Sequence, residues 1–109
     1  MATIAKGQSV LTLVNVFTVK PEDQNKLVQV LIDATEQTMK HAAGFVSASI
    51  HKSYDGTKVV NYAQWRSQKD FDAMRQDPKA KPHMVAAAAL AAFEPILCEV
   101  VESIVHATD

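Results

Sequence analysis

GFVSASIHKSYDGTKVVNYAQW, residues 44–65, is the stretch of sequence that decides the fold. It contains two runs of alternating apolar and polar residues on either side of Asp55 and Gly56. Asp-Gly between alternating runs is the strongest short-range signal for a β-hairpin, because a type I′ turn needs a positive φ at both central residues. The stretch therefore predicts two antiparallel strands joined by a two-residue turn.

A two-residue turn fixes which residues of the two strands face each other, and side chains alternate between the two faces of a strand. The predicted register gives one largely apolar face built from these opposite pairs: Ile50 with Asn61, Ala48 with Ala63, and Val46 with Trp65. A neutral amide such as Asn61 in an apolar wall is typical of a small-molecule pocket. We therefore take Asn61, Trp65 and Ile50 as candidate site residues.

Outside the hairpin, β-branched runs predict strands and a helical spacing of apolar residues predicts helices. In chain order the predicted elements are a strand over residues 10–19, a helix over 21–42, the hairpin, a short helix after Ser67, a helix over 82–92 and a strand over 96–105. This β-α-β-β-α-β order, with the second helix broken, is the ferredoxin-like split βαβ arrangement. It predicts an α+β fold with a four-stranded antiparallel sheet and helices on one face only.

Local signals mark the ends of the predicted helices. Pro21 suits the first turn of a helix, and Gly44 lets the chain turn out of that helix. Ser67 and Asp70 have the spacing of a capping box. Pro95 is expected to end the last helix.

The predicted strand over residues 10–19 carries a second amide, Asn15, on the face that looks toward the helices. This amide is a candidate for lining the same pocket as Asn61. The alternative is an Asn whose side chain bonds to neighbouring backbone, as most buried polar groups do.

Composition indicates one domain over residues 1–109, with residues 1–9 as a flexible arm. A hydrophobic content of 48% excludes a disordered chain, and a net charge of −1 favours neither nucleic acid nor a membrane surface. The apolar run over residues 84–93 is too short to cross a bilayer. The single cysteine, Cys98, cannot form an internal disulfide, which fits a cytoplasmic setting.

The hairpin face opposite the candidate pocket has no predicted helix to cover it. Its side chains are a mixture of polar and apolar types: Phe45, Ser47, Ser49, His51, Val60, Tyr62 and Gln64. An uncovered face of this kind usually marks a partner, and a second copy related by a two-fold axis is the economical one. The sequence therefore predicts a homodimer packed sheet on sheet.

The hairpin, with NYAQW at residues 61–65 as its specific part, resembles the core of the antibiotic biosynthesis monooxygenase superfamily of dimeric α/β-barrel proteins. It is most similar to the small cofactor-independent members that oxidise aromatic polyketides to quinones. The resemblance implies homodimers whose sheets join into a barrel, with a pocket between the sheet and the helices of each subunit. It also implies catalytic roles for Asn61 and Trp65, which would hold a phenolic substrate and its oxygen adduct.

Two positions depart from the pattern of those members. Phe71 stands where a pocket tyrosine is expected, and Met84 stands where an arginine is expected, with His83 beside it. We include Phe71, Met74, His83 and Met84, together with Asn15 and Ile50, as candidate substrate-binding residues.

The sequence contains no CxxC pair, no HExxH motif and no Gly-rich nucleotide loop, so we expect no metal and no cofactor. The predicted function is a cofactor-independent monooxygenase that converts a phenolic, anthrone-type or quinol-type aromatic to a quinone with dioxygen. The competing prediction is a non-catalytic barrel that binds a hydrophobic molecule. Phe71 and Met84 favour this alternative, because they replace more polar residues of the family pattern. Haem degradation, which other members of the superfamily carry out, ranks lower. The resemblance implies that the iron-binding His of those members would stand at Met84, and His83 lies one residue, or about 100° of helix, away from it.

Overall fold

The hairpin forms one half of a four-stranded antiparallel sheet with strand order β2-β3-β1-β4. The computed structural model describes residues 2–107, so Met1 of the predicted arm lies outside the described residues. The strands are β1 (Leu11–Val19), β2 (Phe45–Lys52), β3 (Lys58–Trp65) and β4 (Ala91–Cys98), and the helices are α1 (Gln24–Gln37), α2 (Gln68–Arg75) and α3 (Lys81–Leu90). This element order and sheet topology confirm the predicted ferredoxin-like α+β fold.

The hairpin loop is longer than predicted and spans residues 53–57. Gly56 has a φ of +83° but Asp55 does not have a positive φ, so the type I′ prediction is wrong. The Asp55 carboxylate instead accepts hydrogen bonds from Ser53 Oγ at 2.7 Å, Thr57 N at 3.0 Å and Thr57 Oγ1 at 2.8 Å. Because the longer loop is centred on the same two residues, the predicted pairing of Ile50 with Asn61 is confirmed.

A β-bulge changes which side chains of β2 face the helices. Phe45 pairs with Trp65 and Ser47 pairs with Gln64, so Val46 is an extra residue between them. Val46 is 45% exposed, whereas the Phe45 ring lies 5.4 Å from the Trp65 ring with an angle of 87° between their planes. The predicted pairing of Val46 with Trp65 is therefore wrong, and so is the predicted place of Phe45 on the uncovered face.

The first helix is interrupted. A 3-10 turn at Pro21–Asp23 leads into α1, and a second 3-10 turn at Met39–His41 follows it. The predicted continuous helix over 21–42 is therefore wrong at both ends, since the α-helix itself spans Gln24–Gln37. Gly44 has a φ of +84° and turns the chain into β2, as predicted.

The two later helices lie close to their predicted positions. Ser67 Oγ accepts a hydrogen bond from Asp70 N at 3.1 Å, which confirms the predicted N-cap of α2. α3 starts at Lys81, one residue before the predicted start at 82, and ends at Leu90, two residues before the predicted end at 92. No helix within residues 2–107 is long and apolar enough to cross a membrane.

The last strand exists as predicted but begins directly after α3 and spans Ala91–Cys98, so the predicted bounds of 96–105 are wrong. Pro95 lies inside β4, opposite Asn15 of β1. A proline is tolerated there because β4 is an edge strand that pairs with β1 alone, so its missing N–H need not face a second strand. Residues 99–107 form neither helix nor strand.

Two clusters of buried side chains fill the space between the sheet and the helices. The first contains the fully buried Leu27 and Val59, and its other members are Phe17, Val19, Leu31 and Ala87. The second contains Leu13, Ala63, Trp65 and Phe71. Both clusters contribute to the walls of the cavity described below.

The N-terminal segment reaches the helix-free face of the sheet. Gln64, on that face, is only 1% exposed. Its Oε1 accepts a hydrogen bond from Ser47 Oγ at 2.9 Å, and its Nε2 donates to the carbonyl oxygen of Thr3 at 2.6 Å. Lys6 Nζ pairs with Glu102 Oε2 at 2.9 Å and so links the two ends of the described chain. The face predicted to be uncovered is thus partly covered near Gln64.

Candidate active site

A cavity of about 220 Å³ lies between the sheet and the helices. Most of its lining is apolar, as in pockets for small organic molecules. From the sheet the lining residues are Leu13, Asn15, Phe17, Phe45, Ala48, Asn61, Ala63, Trp65, Phe93 and Pro95. From the helices and the second 3-10 turn they are Leu31, Ala34, Thr35, Met39, Phe71, Met74, Arg75, His83, Met84 and Ala87.

Two amides lie side by side in the sheet wall of this cavity. Asn15 of β1 and Asn61 of β3 are direct partners in the antiparallel ladder, and both side chains line the cavity. The Oδ1 atom of each amide is buried and has no hydrogen-bond partner. Buried acceptors are normally paired, and leaving one unpaired costs about 1–3 kcal/mol. The pair is therefore the polar part of an otherwise apolar sheet wall.

Trp65 forms a second wall with aromatic neighbours on both sides. Its side chain is 2% exposed, and its ring centroid lies 5.9 Å from that of Phe71, with 60° between the planes. Phe45 contacts it edge-on from the other side. Packing between two rings fixes the orientation of the indole, so the protein sets the direction of its one N–H donor.

The cavity lining includes two ionisable side chains, Arg75 and His83. The Arg75 guanidinium carbon lies 5.5 Å from the Phe71 ring centroid, within the range of a cation–π contact. Arg75 is otherwise exposed, so it places a positive charge where the cavity meets solvent. Among residues 2–107 no group of three or more His, Cys, Asp or Glu side chains is arranged to hold a metal ion.

Most of the sequence-predicted site residues come together at this cavity. Those that line it are Asn15, Asn61, Trp65, Phe71, Met74, His83 and Met84. Ile50 does not line it and packs instead against the buried cluster around Val59. Its position beside Asn61 in the ladder was predicted, but its side chain fills the core at the turn end of the hairpin.

Sequence reasoning missed several lining residues. Phe45 was missed because of the bulge in β2, and Phe93 and Pro95 were missed because β4 begins earlier than predicted. Arg75 did have a signal, since it stands four residues after Phe71 on one helix, and residues at that spacing share a helix face.

The comparison with known proteins identifies the family. Residues 10–90 match the family model described as antibiotic biosynthesis monooxygenase, which is more than half of the chain. The chain belongs to this family. A curated relative, tetracenomycin-F1 monooxygenase from Streptomyces glaucescens, is 50% identical over 103 residues, which cover 94% of this chain and 92% of the relative.

Solved structures of similar proteins agree with this assignment. A monooxygenase from the gene ActVA-Orf6 of Streptomyces coelicolor, solved in complex with the ligand nanaomycin D, has a TM-score of 0.79 and 29% identity and covers 89% of this chain and 92% of its own. A mutant of SnoaB, a cofactor-independent oxygenase from Streptomyces nogalater, shares the fold with a TM-score of 0.78 at 24% identity, covering 89% of this chain and 98% of its own. These relatives confirm the predicted family and the prediction of an enzyme of the monooxygenase class.

Proposed function

We propose that this enzyme oxidises an electron-rich phenolic aromatic, of the anthrone or quinol type, to a quinone with dioxygen and without a cofactor. The observation that carries the proposal is the apolar cavity in which the buried amides of Asn15 and Asn61 lie near the Trp65 wall. The 50% identity to tetracenomycin-F1 monooxygenase supports oxygen chemistry on a related molecule.

The chemistry depends on what such a substrate can do by itself. Dioxygen is a triplet, so its direct reaction with a closed-shell phenol is spin-forbidden, and a flavin or a metal often removes this obstacle. An electron-rich phenol that has lost its proton can instead give one electron to dioxygen. The two radicals then form a carbon–oxygen bond, and the peroxide anion takes back the phenolic proton. The resulting hydroperoxide loses the hydrogen of the attacked carbon together with its outer oxygen as water, which leaves the quinone carbonyl. One oxygen atom enters the product and the other leaves as water, with the substrate as the reductant.

The protein's part in this scheme is to favour the anion, exclude water and orient the oxygen adduct. On our proposal, Asn61 donates an amide N–H to the oxyanion that develops on the substrate. Trp65 supplies an apolar wall and one N–H for the peroxide oxygen. His83 is the lining side chain suited to accept the phenolic proton, because imidazole is the commonest general base in enzymes.

Aerobic incubation with dithranol tests the function, with quinone absorbance and oxygen uptake followed together. We expect both signals at rates above the spontaneous reaction. We also expect Asn61→Ala to lower kcat/KM by roughly 100-fold, because losing one oxyanion donor costs about 3 kcal/mol. The matched control is Asn25→Ala, which removes an amide from the exposed side of α1.

Two results would count against the proposal in different ways. Turnover no faster than the spontaneous rate, with tight binding of the same compound, would support the competing prediction of a hydrophobic-ligand binder. Full turnover in both Asn61→Ala and Trp65→Phe would leave the reaction in place and overturn the assignment of these two residues.

We also propose that the enzyme is a homodimer through the helix-free face of the sheet. With Phe45 removed from this face, its half-buried or exposed members include Val60 and Tyr62 of β3, Val14 and Val16 of β1, and Ile96 of β4. The C-terminal segment adds three large apolar side chains that are at least 80% exposed: Val101, Ile104 and Val105. A second copy would cover apolar area that a single chain leaves in water.

A further inference from the structure

The cavity lining carries a permanent positive charge and no matching negative charge. Arg75 is the lining side chain that stays charged at every physiological pH, and none of the described residues that line the cavity is an Asp or a Glu. Both ion pairs within residues 2–107 lie elsewhere, at Lys6 with Glu102 and at Lys40 with Glu36. No carboxylate of the described chain therefore neutralises the Arg75 guanidinium.

An aromatic contact holds this charge beside the cavity. The Arg75 guanidinium carbon lies 5.5 Å from the centroid of the Phe71 ring, four residues earlier on the same face of α2. Phe71 is itself only 4% exposed, and its ring centroid lies 5.9 Å from that of Trp65. One buried ring thus separates the guanidinium from the indole that forms the cavity wall.

We propose that Arg75 is a specificity-determining residue that binds a carboxylate substituent of the aromatic substrate at the mouth of the cavity. This inference rests on the proposed function and names a chemical group that the substrate carries. A guanidinium is planar and can donate two parallel N–H bonds to one carboxylate. Because the Arg75 side chain is exposed, a ligand can reach it from the cavity mouth.

The surroundings of Arg75 determine which part of the ligand it binds. Phe71 and Met74, its lining neighbours on α2, are apolar. A carboxylate placed against them would lose its water without gaining a partner, which is costly. At the mouth, the same carboxylate keeps part of its water and gains the guanidinium. The carboxylate should therefore lie at the solvent end of the ring system, with the reacting phenolic ring directed toward Asn61 and Trp65.

Titration calorimetry of the full chain, without oxygen and at low ionic strength, tests this preference. The ligands share one ring system: 6-hydroxy-2-naphthoate, its methyl ester and 2-naphthol. At pH 7 the carboxylate is ionised and the naphthol hydroxyls are not. We expect the acid to bind about fivefold more tightly than the ester, the upper end of what a charge pair contributes at an exposed site. Salt at about 1 M should reduce this advantage, because it shortens the Debye length to about 3 Å.

Three variants assign the preference to Arg75. Arg75→Gln removes the charge, and the advantage of the acid over the ester should fall to within about twofold. Arg75→Lys keeps the charge without the planar fork and should retain part of the advantage. The matched control is Arg66→Gln, which changes the only other arginine of the chain, is exposed and does not line the cavity, and should keep the full advantage.

Circular dichroism melts check that the variants are folded. If Arg75→Gln does not fold, the comparison of acid with ester in the unaltered enzyme still decides the matter. Equal affinities for these two ligands would overturn the inference, and so would an advantage that survives Arg75→Gln. If that surviving advantage disappears in His83→Gln, the anion belongs to His83 instead.

The phenolate that forms during the reaction is a second source of negative charge. If Arg75→Gln lowered kcat on dithranol while the advantage of the acid persisted, Arg75 would serve that phenolate, and the carboxylate site would be rejected. The fate of the proposed function is separable from these outcomes. Preference for the acid without oxidation of dithranol in air would remove the proposed function and keep the carboxylate site. Oxidation of dithranol with no difference between acid and ester would do the reverse.

Discussion

Gly44 connects the fold to the cavity at the scale of a single residue. Its φ of +84° lies in the left-handed region, which costs a residue with a Cβ about 1–2 kcal/mol. A Cβ built on Gly44 would also overlap the side chain of Asp70, which Ser67 holds in place at the start of α2. Gly44 therefore lets α2 pack against the beginning of β2, directly before the cavity residue Phe45.

Gly44→Ala should destabilise the protein by more than its backbone conformation alone explains. We expect a loss above about 2 kcal/mol in the free energy of unfolding, measured by urea denaturation. Gly7→Ala is the control, since Gly7 has a similar φ of +77° and open space around it, and it should lose only the about 1–2 kcal/mol of the backbone conformation. Equal losses in the two variants would show that Asp70 moves aside without cost.

The residues that the sequence could place in the cavity are those on strands with unbroken alternation. Asn15, Asn61 and Trp65 lie on β1 and β3, where the period of two holds from end to end. Phe45 could not be placed, because the bulge inserts a residue that no turn or breaker signal marks. The sequence also could not predict that the two amide oxygens have no hydrogen-bond partner, since this depends on which donors the neighbouring helices and strands place near them.

At the scale of elements, the edge strand β4 shows why a breaker residue can mislead. Pro95 suggests a boundary when only the sequence is read, because proline is usually excluded from central strands. The topology places β4 at an edge, where proline is allowed, and this topology depends on pairings that are distant in sequence. The register of the hairpin, in contrast, could be predicted from the sequence. It depends only on where the loop is centred, and Asp55 and Gly56 indicate that position.

The hairpin loop should give the protein an acid-sensitive element. Hydrogen bonds from the backbone N–H of Thr57 and then from the hydroxyls of Ser53 and Thr57 lower the pKa of Asp55 from 3.8 to about 2. A carboxyl whose pKa is lower in the folded state stabilises the fold above its unfolded pKa, and this contribution is lost as the pH falls toward the folded pKa. The contribution of Asp55 should therefore be complete above about pH 4 and disappear toward about pH 2.

Asp55→Asn should accordingly make stability less dependent on pH across this window. The measurement is the urea midpoint at several values between about pH 4 and pH 2, compared with the unaltered enzyme. Thr57→Val, which removes one donor and keeps the carboxylate, should give an intermediate slope. Identical slopes in all three proteins would mean that these hydrogen bonds persist in the unfolded chain or contribute nothing.

At the scale of the whole molecule, the sheet separates two tasks. One face, covered by the helices, encloses the cavity, and the other face has no helix and carries the proposed dimer contact. Successive residues of a strand point to opposite faces. Asn61 therefore faces the cavity, whereas Tyr62, the next residue, faces the proposed dimer contact. A change on the outer face can therefore be tested without touching the cavity wall.

Tyr62→Glu should convert the proposed dimer to a monomer, because a carboxylate in a desolvated sheet interface has no partner there and its burial is costly. Light scattering after size exclusion, at micromolar protein, should give about twice the chain mass of 11.9 kDa for the unaltered enzyme and the single mass for the variant. Tyr54→Glu is the control, since Tyr54 is fully exposed in the hairpin loop, and it should remain a dimer. A single-chain mass for the unaltered enzyme would reject the sheet-to-sheet dimer outright. A dimer that survives Tyr62→Glu would place the contact on another surface, with the exposed C-terminal segment as the next to be altered.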